Sequence, residues 1–184
     1  MPERTFIIGG QKSGKSRHAE MLAAHWLARS STHRAVLIAT AQPWDDEMRE
    51  RIARHRADRA ARVPGLATVE EPLALAATLA IHSAPDTLVL IDCLTLWLTN
   101  LLMPMAGAPA DADAADVALR DALRAARGPV VLVGNEIGLG VIPMGREVRA
   151  FVDALGRLNQ SVAAECDRVV LMAAGLPLTL KGPQ

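Results

Sequence analysis

The octapeptide GGQKSGKS, Gly9 to Ser16, constrains this chain more than any other stretch. It sits between a β-branched run, TFIIG, and an amphipathic run, KSRHAEMLAAHWLA, so a strand must turn sharply into a helix around it. The spacing Gly9-x-x-x-x-Gly14-Lys15-Ser16 is that of a phosphate-binding P-loop. Glycines let the backbone curl until successive N–H groups point at phosphate oxygens, and the helix N-terminus adds its dipole. Nucleotide contacts are therefore expected from Gly9, Gly10, Gln11, Lys12, Ser13, Gly14, Lys15 and Ser16. Lys15 would reach the β- and γ-phosphates, and the Ser16 hydroxyl would ligate Mg²⁺.

A P-loop needs an acidic partner at the end of a nearby strand to hold that metal. LVLIDC supplies Asp92 after four apolar residues. Helix capping at a strand end is an alternative role for Asp92, compatible with the first.

The rest of the chain repeats the strand–helix alternation. Strands are expected at about 5–9, 35–40, 66–70, 87–92, 129–134 and 168–173, and helices at about 15–29, 44–59, 72–82, 93–102, 113–127 and 145–165. The strands are apolar without strict alternation, as when both faces are covered. The expected fold is α/β, a mainly parallel sheet with helices on both faces, of P-loop NTPase type (RecA-like). No internal repeat interrupts the 184 residues, and one nucleotide-binding catalytic domain over 1–184 is expected. PMAGAPADAD, Pro104 to Asp113, reads as a surface connection.

Charge and composition exclude several functions. Twenty basic residues balance twenty acidic ones, so no global field attracts nucleic acid or anionic lipid. Three Trp, two Phe and no Tyr make a poor base-stacking surface. The longest apolar stretch, Leu88 to Met105, carries Asp92, Asn100 and Pro104, which argues against a membrane span. No apolar signal core follows the N-terminal Met-Pro-Glu-Arg, and Cys93 and Cys166 have no metal-ligand spacing. A cytoplasmic protein with two buried thiols is the expectation; a disulfide between them is the alternative.

The second informative stretch is WDDEMRERIARHRADR, Trp44 to Arg59. Asp45, Asp46 and Glu47 suit a helix N-terminus, and Met48 and Ile52 form an apolar line. Arg51, His55 and Arg59 share a face, with Arg54 and Arg56 beside the same histidine. A solvated face balanced by Glu47 and Glu50 is one reading. The other begins with proton affinity: neighbouring guanidinium groups disfavour imidazolium, so His55 stays neutral and nucleophilic near pH 7. Such a histidine, beside arginines that hold phosphates, is suited to a covalent phospho- or nucleotidyl-histidine. His18, His25, His33 and His82 are read as structural.

These blocks, followed by LVLIDCLTLWLTNLL, VGNEIGLGVIP and GRLNQSVAAECDRVVLMAAGLPLTLKG, resemble in order the bifunctional adenosylcobinamide kinase/adenosylcobinamide-phosphate guanylyltransferases. The resemblance runs from about residue 5 to the C-terminus. It implies phosphorylation of the aminopropanol hydroxyl of adenosylcobinamide with ATP or GTP. It also implies GMP transfer from GTP to that phosphate, giving adenosylcobinamide-GDP and pyrophosphate. The family's guanylylated histidine falls on His55, and its nucleotide contacts fall on Gly9–Ser16, Thr40, Arg56, Ala57, Asp58, Arg59, Glu70 and Asp92. The family also implies a homotrimer. Lys12 stands where relatives commonly have arginine, and Val152 stands where an FRD-type stretch has its arginine. NEIGLGVIP follows a strand's end and suits contact with the corrinoid or with a neighbouring subunit. The apolar side chains of LTLWLTNLL suit either an interface or the core.

Overall fold

A computed structural model describes residues 2–183, apart from the Arg51 side chain, which lies outside the described residues. In chain order the elements are β1 (Arg4–Gly9), α1 (Lys15–Ala28), β2 (Arg34–Ala39), α2 (Asp46–Arg62), β3 (Leu66–Glu70), α3 (Leu75–His82) and β4 (Thr87–Asp92). There follow α4 (Leu94–Leu102), α5 (Ala112–Ala125), β5 (Val130–Asn135), α6 (Arg146–Glu165), β6 (Arg168–Ala173) and β7 (Leu176–Lys181). The strands form one sheet in the order β3-β2-β4-β5-β1-β6-β7. Every pairing is parallel except β6 with β7.

The near-continuous apolar strands are explained by two cores, one on each face of the sheet. Phe6 and Ile8 of β1 point into the larger core with Trp97, Leu98, Leu119, Leu158 and others from α3 to α6. Ile7, between them, points the other way, onto Ala19 and Ala23 of α1. Alternate residues thus enter opposite cores, and both must be apolar. Trp97 is 1% exposed, which places the apolar side of LTLWLTNLL in the core. Both cysteines are buried and free, as expected.

Six strands fall within a residue of their expected bounds; the seventh was not anticipated. β7 is LPLTLK, an antiparallel edge strand that turns back through Ala174 and Gly175, both at positive φ. Its edge position tolerates Pro177, which has no N–H to donate. α3 begins at Leu75 rather than near residue 72 because the Glu71 carboxylate accepts from the amides of Leu73 and Ala74, closing a turn first. α2 is capped by Asp45, whose side chain accepts from the Met48 amide at 2.7 Å. Among the described residues, no helix is long and apolar enough to cross a membrane.

Candidate active site

The ends of β1, β4 and β5 converge at the carboxyl edge of the sheet, with β5 lying between the other two. The loop after β1 is shaped by contacts only glycine allows. Gly9 has φ +156°, and a Cβ there would lie 2.4 Å from the Met172 carbonyl oxygen. Gly14, at φ 99°, is the N-cap of α1 and has no side-chain cap, so its backbone leads directly into the helix. The amide of Gly175 donates to the Ser13 carbonyl at 3.1 Å, so the unanticipated hairpin braces the loop from outside.

Lys15 is only 8% exposed, and its ammonium donates to the Gly10 carbonyl within the same loop. Burial lowers its proton affinity, while Cys93 and Asp92 act against that change. Asp92 ends β4 half-buried, and the peptide joining it to Cys93 is cis. Burial pushes the Cys93 thiol up to about 12, with Asp92 adding to the effect. That removes it as a nucleophile at neutral pH.

Thr40 reaches the same edge but is fully buried. Its hydroxyl donates to the Cys93 carbonyl at 2.7 Å and accepts from the Cys93 amide at 2.8 Å. Asn100 donates to the Thr40 carbonyl at 2.8 Å and to the Pro72 carbonyl at 3.1 Å, fastening α4 beneath the site. Thr40 in this arrangement ties β2 to the residue after Asp92. Asn135 and Glu136 stand beside the loop, since the Glu136 amide donates to the Gly9 carbonyl at 3.0 Å. Beyond them, Ile137, Val141 and Ile142 line a cavity of about 500 Å³ with Arg149, Val152 and Arg157 of α6.

The histidine-bearing helix is built differently. None of the described residues of α2 is buried; Met48, Ile52 and Arg59 are half-buried, and His55 is exposed. Arg56 pairs with Glu70 at 3.1 Å, both side chains more than half exposed. Arg62 Nε lies 2.9 Å from Glu20 Oε2, close enough for an ion pair, and Arg62 also donates to Oε1 at 3.4 Å. Arg59 is brought inward until burial lowers its affinity for the proton, with Asp92 and Glu20 opposing that change. It remains a cation at any working pH. Ala57 and Asp58 are exposed on the same helix.

Sequence reasoning missed Glu20. It is 3% exposed, and burial raises its pKa against the opposing pull of Arg62 and Arg59. HAEML reads as an ordinary stretch of an amphipathic helix, and the Arg62 guanidinium that meets Glu20 comes from forty-two residues later. Asp92 acts electrostatically on Lys15, Glu20 and Arg59, so loop, metal-site candidate and α2 share one field. The other histidines serve elsewhere: His33 stacks on Trp26 with ring centroids 3.8 Å apart, and burial lowers the pKa of His18, aided by Arg168.

No cluster of three His, Cys, Asp or Glu that could hold a metal occurs among the described residues. A hydroxyl from Ser16 and one carboxylate from Asp92 are hard oxygen donors instead. That sparse set suits Mg²⁺, which keeps several waters and takes further oxygens from substrate phosphates.

A glycine-built loop between a central parallel strand and its helix, facing an aspartate two strands away, defines a P-loop NTPase-type α/β protein. The solved structure of the flagellar accessory protein FlaH from Methanocaldococcus jannaschii shares this fold. It superposes with a TM-score of 0.55 over 98% of this chain and 78% of that one, at 10% identity. The particular family is set by sequence: the model of the cobinamide kinase / cobinamide phosphate guanyltransferase family matches residues 5–180, and the chain belongs to that family. The bifunctional adenosylcobalamin biosynthesis protein CobP of Pseudomonas aeruginosa is 49% identical over 97% of this chain and 98% of its own length. The proteins of the same description called CobU in Salmonella typhimurium and Escherichia coli are each 37% identical, over 95% of this chain and 98% of theirs.

Proposed function

We propose that residues 1–184 form one cytoplasmic catalytic domain that performs two successive transfers on a corrinoid. In the first, the aminopropanol hydroxyl of adenosylcobinamide attacks the γ-phosphorus of ATP or GTP. The new P–O bond replaces the bond to the β-phosphate oxygen, and the nucleoside diphosphate leaves. In the second, a neutral His55 ring nitrogen attacks the α-phosphorus of GTP and pyrophosphate leaves. An oxygen of adenosylcobinamide phosphate then attacks the phosphorus of guanylyl-His55. The P–N bond breaks, the imidazole is restored and adenosylcobinamide-GDP is formed. The covalent step means that two polyanions need not react with each other directly.

Each residue has a distinct task in this reading. Backbone amides from Gly9 to Ser16 cradle the phosphates, and Lys15 leaves the Gly10 carbonyl to meet the β- and γ-oxygens. Ser16 and Asp92 would hold Mg²⁺, which when bound neutralises charge on the phosphates. Arg56, Arg59 and Glu70 would contact the nucleotide, with Ala57 and Asp58 along the same helix; Thr40 supports the floor of the site. The observation that carries the reading is Arg59. This cation, one turn beyond His55, is half-buried and feels the charges of both Glu20 and Asp92, which supports a histidine-bearing face of α2 turned toward the phosphate loop.

Incubation with α-labelled GTP tests this. Wild-type protein is expected to take acid-labile, base-stable label, and His55→Ala to take none while keeping much of its kinase activity. Active protein that never takes label, or a variant that loses both activities equally, contradicts the division of labour. The reading includes a homotrimer, for which Leu139, Val141, Ile142 and Met144, all more than three-quarters exposed, offer apolar area. Light scattering at a monomer or dimer mass would rule that out.

A further inference from the structure

α2 poses a problem of attachment. It is seventeen residues long, and none of its described residues is buried. Met48 and Ile52 are half-buried and only its C-cap, Val63, is sunk in the core, so apolar packing pins one end and leaves its rotation weakly set. Its ion pair with Glu70 is exposed on both sides and ties α2 only to the end of the next strand, β3. Its pair with Glu20 differs, because Glu20 is on α1, the helix that begins with Lys15, and is the one buried acidic side chain among the described residues.

Helix geometry says what that contact sets. Arg62 follows His55 by seven residues, about two turns, so both lie on nearly the same face of α2, about 10 Å apart along its axis. Arg59, four residues from His55, lies on that face too. Glu20 follows Lys15 by five residues, about 7.5 Å along α1. Both helices leave the carboxyl edge of the sheet and return toward its other edge, since each links two parallel strands. Moving up from the Arg62–Glu20 contact therefore leads to His55 on one helix and to Lys15 on the other.

We infer that Glu20 is a positioning residue for guanylyl transfer: by holding Arg62, and Arg59 through its charge, it sets the rotation and height of α2 so that His55 faces the phosphate loop. Its carboxylate takes no part in bond making. This rests on the proposed role of His55. It assigns to a buried side chain outside the phosphate-binding loop the task of orienting an exposed helix.

The test compares Glu20→Ala, Arg62→Ala and the double variant in three measurements: phosphorylation of adenosylcobinamide by ATP, single-turnover labelling by α-labelled GTP, and hydrogen exchange across residues 46–62. Each single variant is expected to label roughly tenfold to a hundredfold more slowly, the scale of a misplaced nucleophile, with the kinase step largely kept. The double variant should be no slower than the worse single one, because both remove one contact. Exchange in 46–62 should quicken in all three without quickening in 15–28. Arg62→Ala labelling at the wild-type rate overturns the inference, as does equal loss of both activities in Glu20→Ala protein that remains folded. If Glu20→Ala does not fold, Arg62→Ala, changed on the more exposed side of the pair, still decides. If wild-type protein takes no label, the guanylylation reading fails, and exchange alone judges Glu20: unchanged exchange in 46–62 refutes it.

Discussion

α1 and α2 both return from the carboxyl edge of the sheet, yet they are held by different forces. α1 sinks Ala19 and Ala23 into the apolar core over β1, β2, β4 and β5, with Leu22, Trp26 and Leu27 packed around them. α2 has no fully buried side chain among its described residues; besides its C-cap Val63 it is held through the pairs of Arg56 and Arg62. Close packing permits few positions; an exposed pair such as Arg56–Glu70 permits several of similar energy, which leaves the orientation of α2 to its contact with a buried partner, Arg62–Glu20. The difference suits the two proposed tasks. The element that grips phosphate must be rigid; the element that carries a nucleophile must come to the α-phosphorus in one reaction and stand clear of the acceptor hydroxyl in the other.

The contrast can be broken most forcefully at Lys15. Lys15→Ala should lower both transfers by about 10²- to 10³-fold, the cost of losing one preorganised charge at the reacting phosphates. Parallel steady-state assays check this, and an effect on only one reaction would show that the two transfers use separate sites.

Next in size is a packing comparison. Ala23→Leu forces extra methyl groups into a fully buried position and should cost about 1–3 kcal/mol in urea unfolding. Ala61→Leu, on exposed α2, should stay within about 0.5 kcal/mol. Similar losses at the two would show that α2 is packed more closely than its exposure indicates.

The smallest effect sharpens the comparison through pH. Burial raises the pKa of Glu20 above its ordinary 4.5, so in the window just above that value the native chain binds more protons than the unfolded one. The stabilising contribution of protonated Glu20 is complete below the unfolded value and is lost as pH rises through the folded one. Glu20→Gln should therefore gain stability relative to wild type as pH rises through that window, read as a growing difference in Tm. At neutral pH the same variant should label more slowly with GTP, since it keeps an acceptor for Arg62 but loses the charge. A variant that gains stability while losing guanylylation is hard to reconcile with a merely structural role for Glu20.

What the sequence revealed follows the range of the forces concerned. The loop from Gly9 to Ser16 and its flanking strand and helix were legible because spacing, turn and cap are all local. So were the two-sided strands, through their unbroken apolar runs. β7 escaped notice because LPLTLK is exposed, carries a proline and acquires a partner only when the chain turns at Gly175. Thr40 entered only through the family resemblance, as a nucleotide contact, and the inward turn of its hydroxyl toward Cys93, fifty-three residues away, could not be read. Glu20 was hidden for the same reason: its partner, Arg62, lies forty-two residues later. Met48 and Ile52 had promised α2 an apolar seat, and half-burial is all the fold gives them.

The most direct measurement is peptide-resolved mass spectrometry of the wild-type protein after exposure to GTP and Mg²⁺, under conditions that preserve phosphoramidates. The account predicts one added GMP on the peptide containing His55. GMP on another residue, or unmodified protein that still makes adenosylcobinamide-GDP, would contradict it.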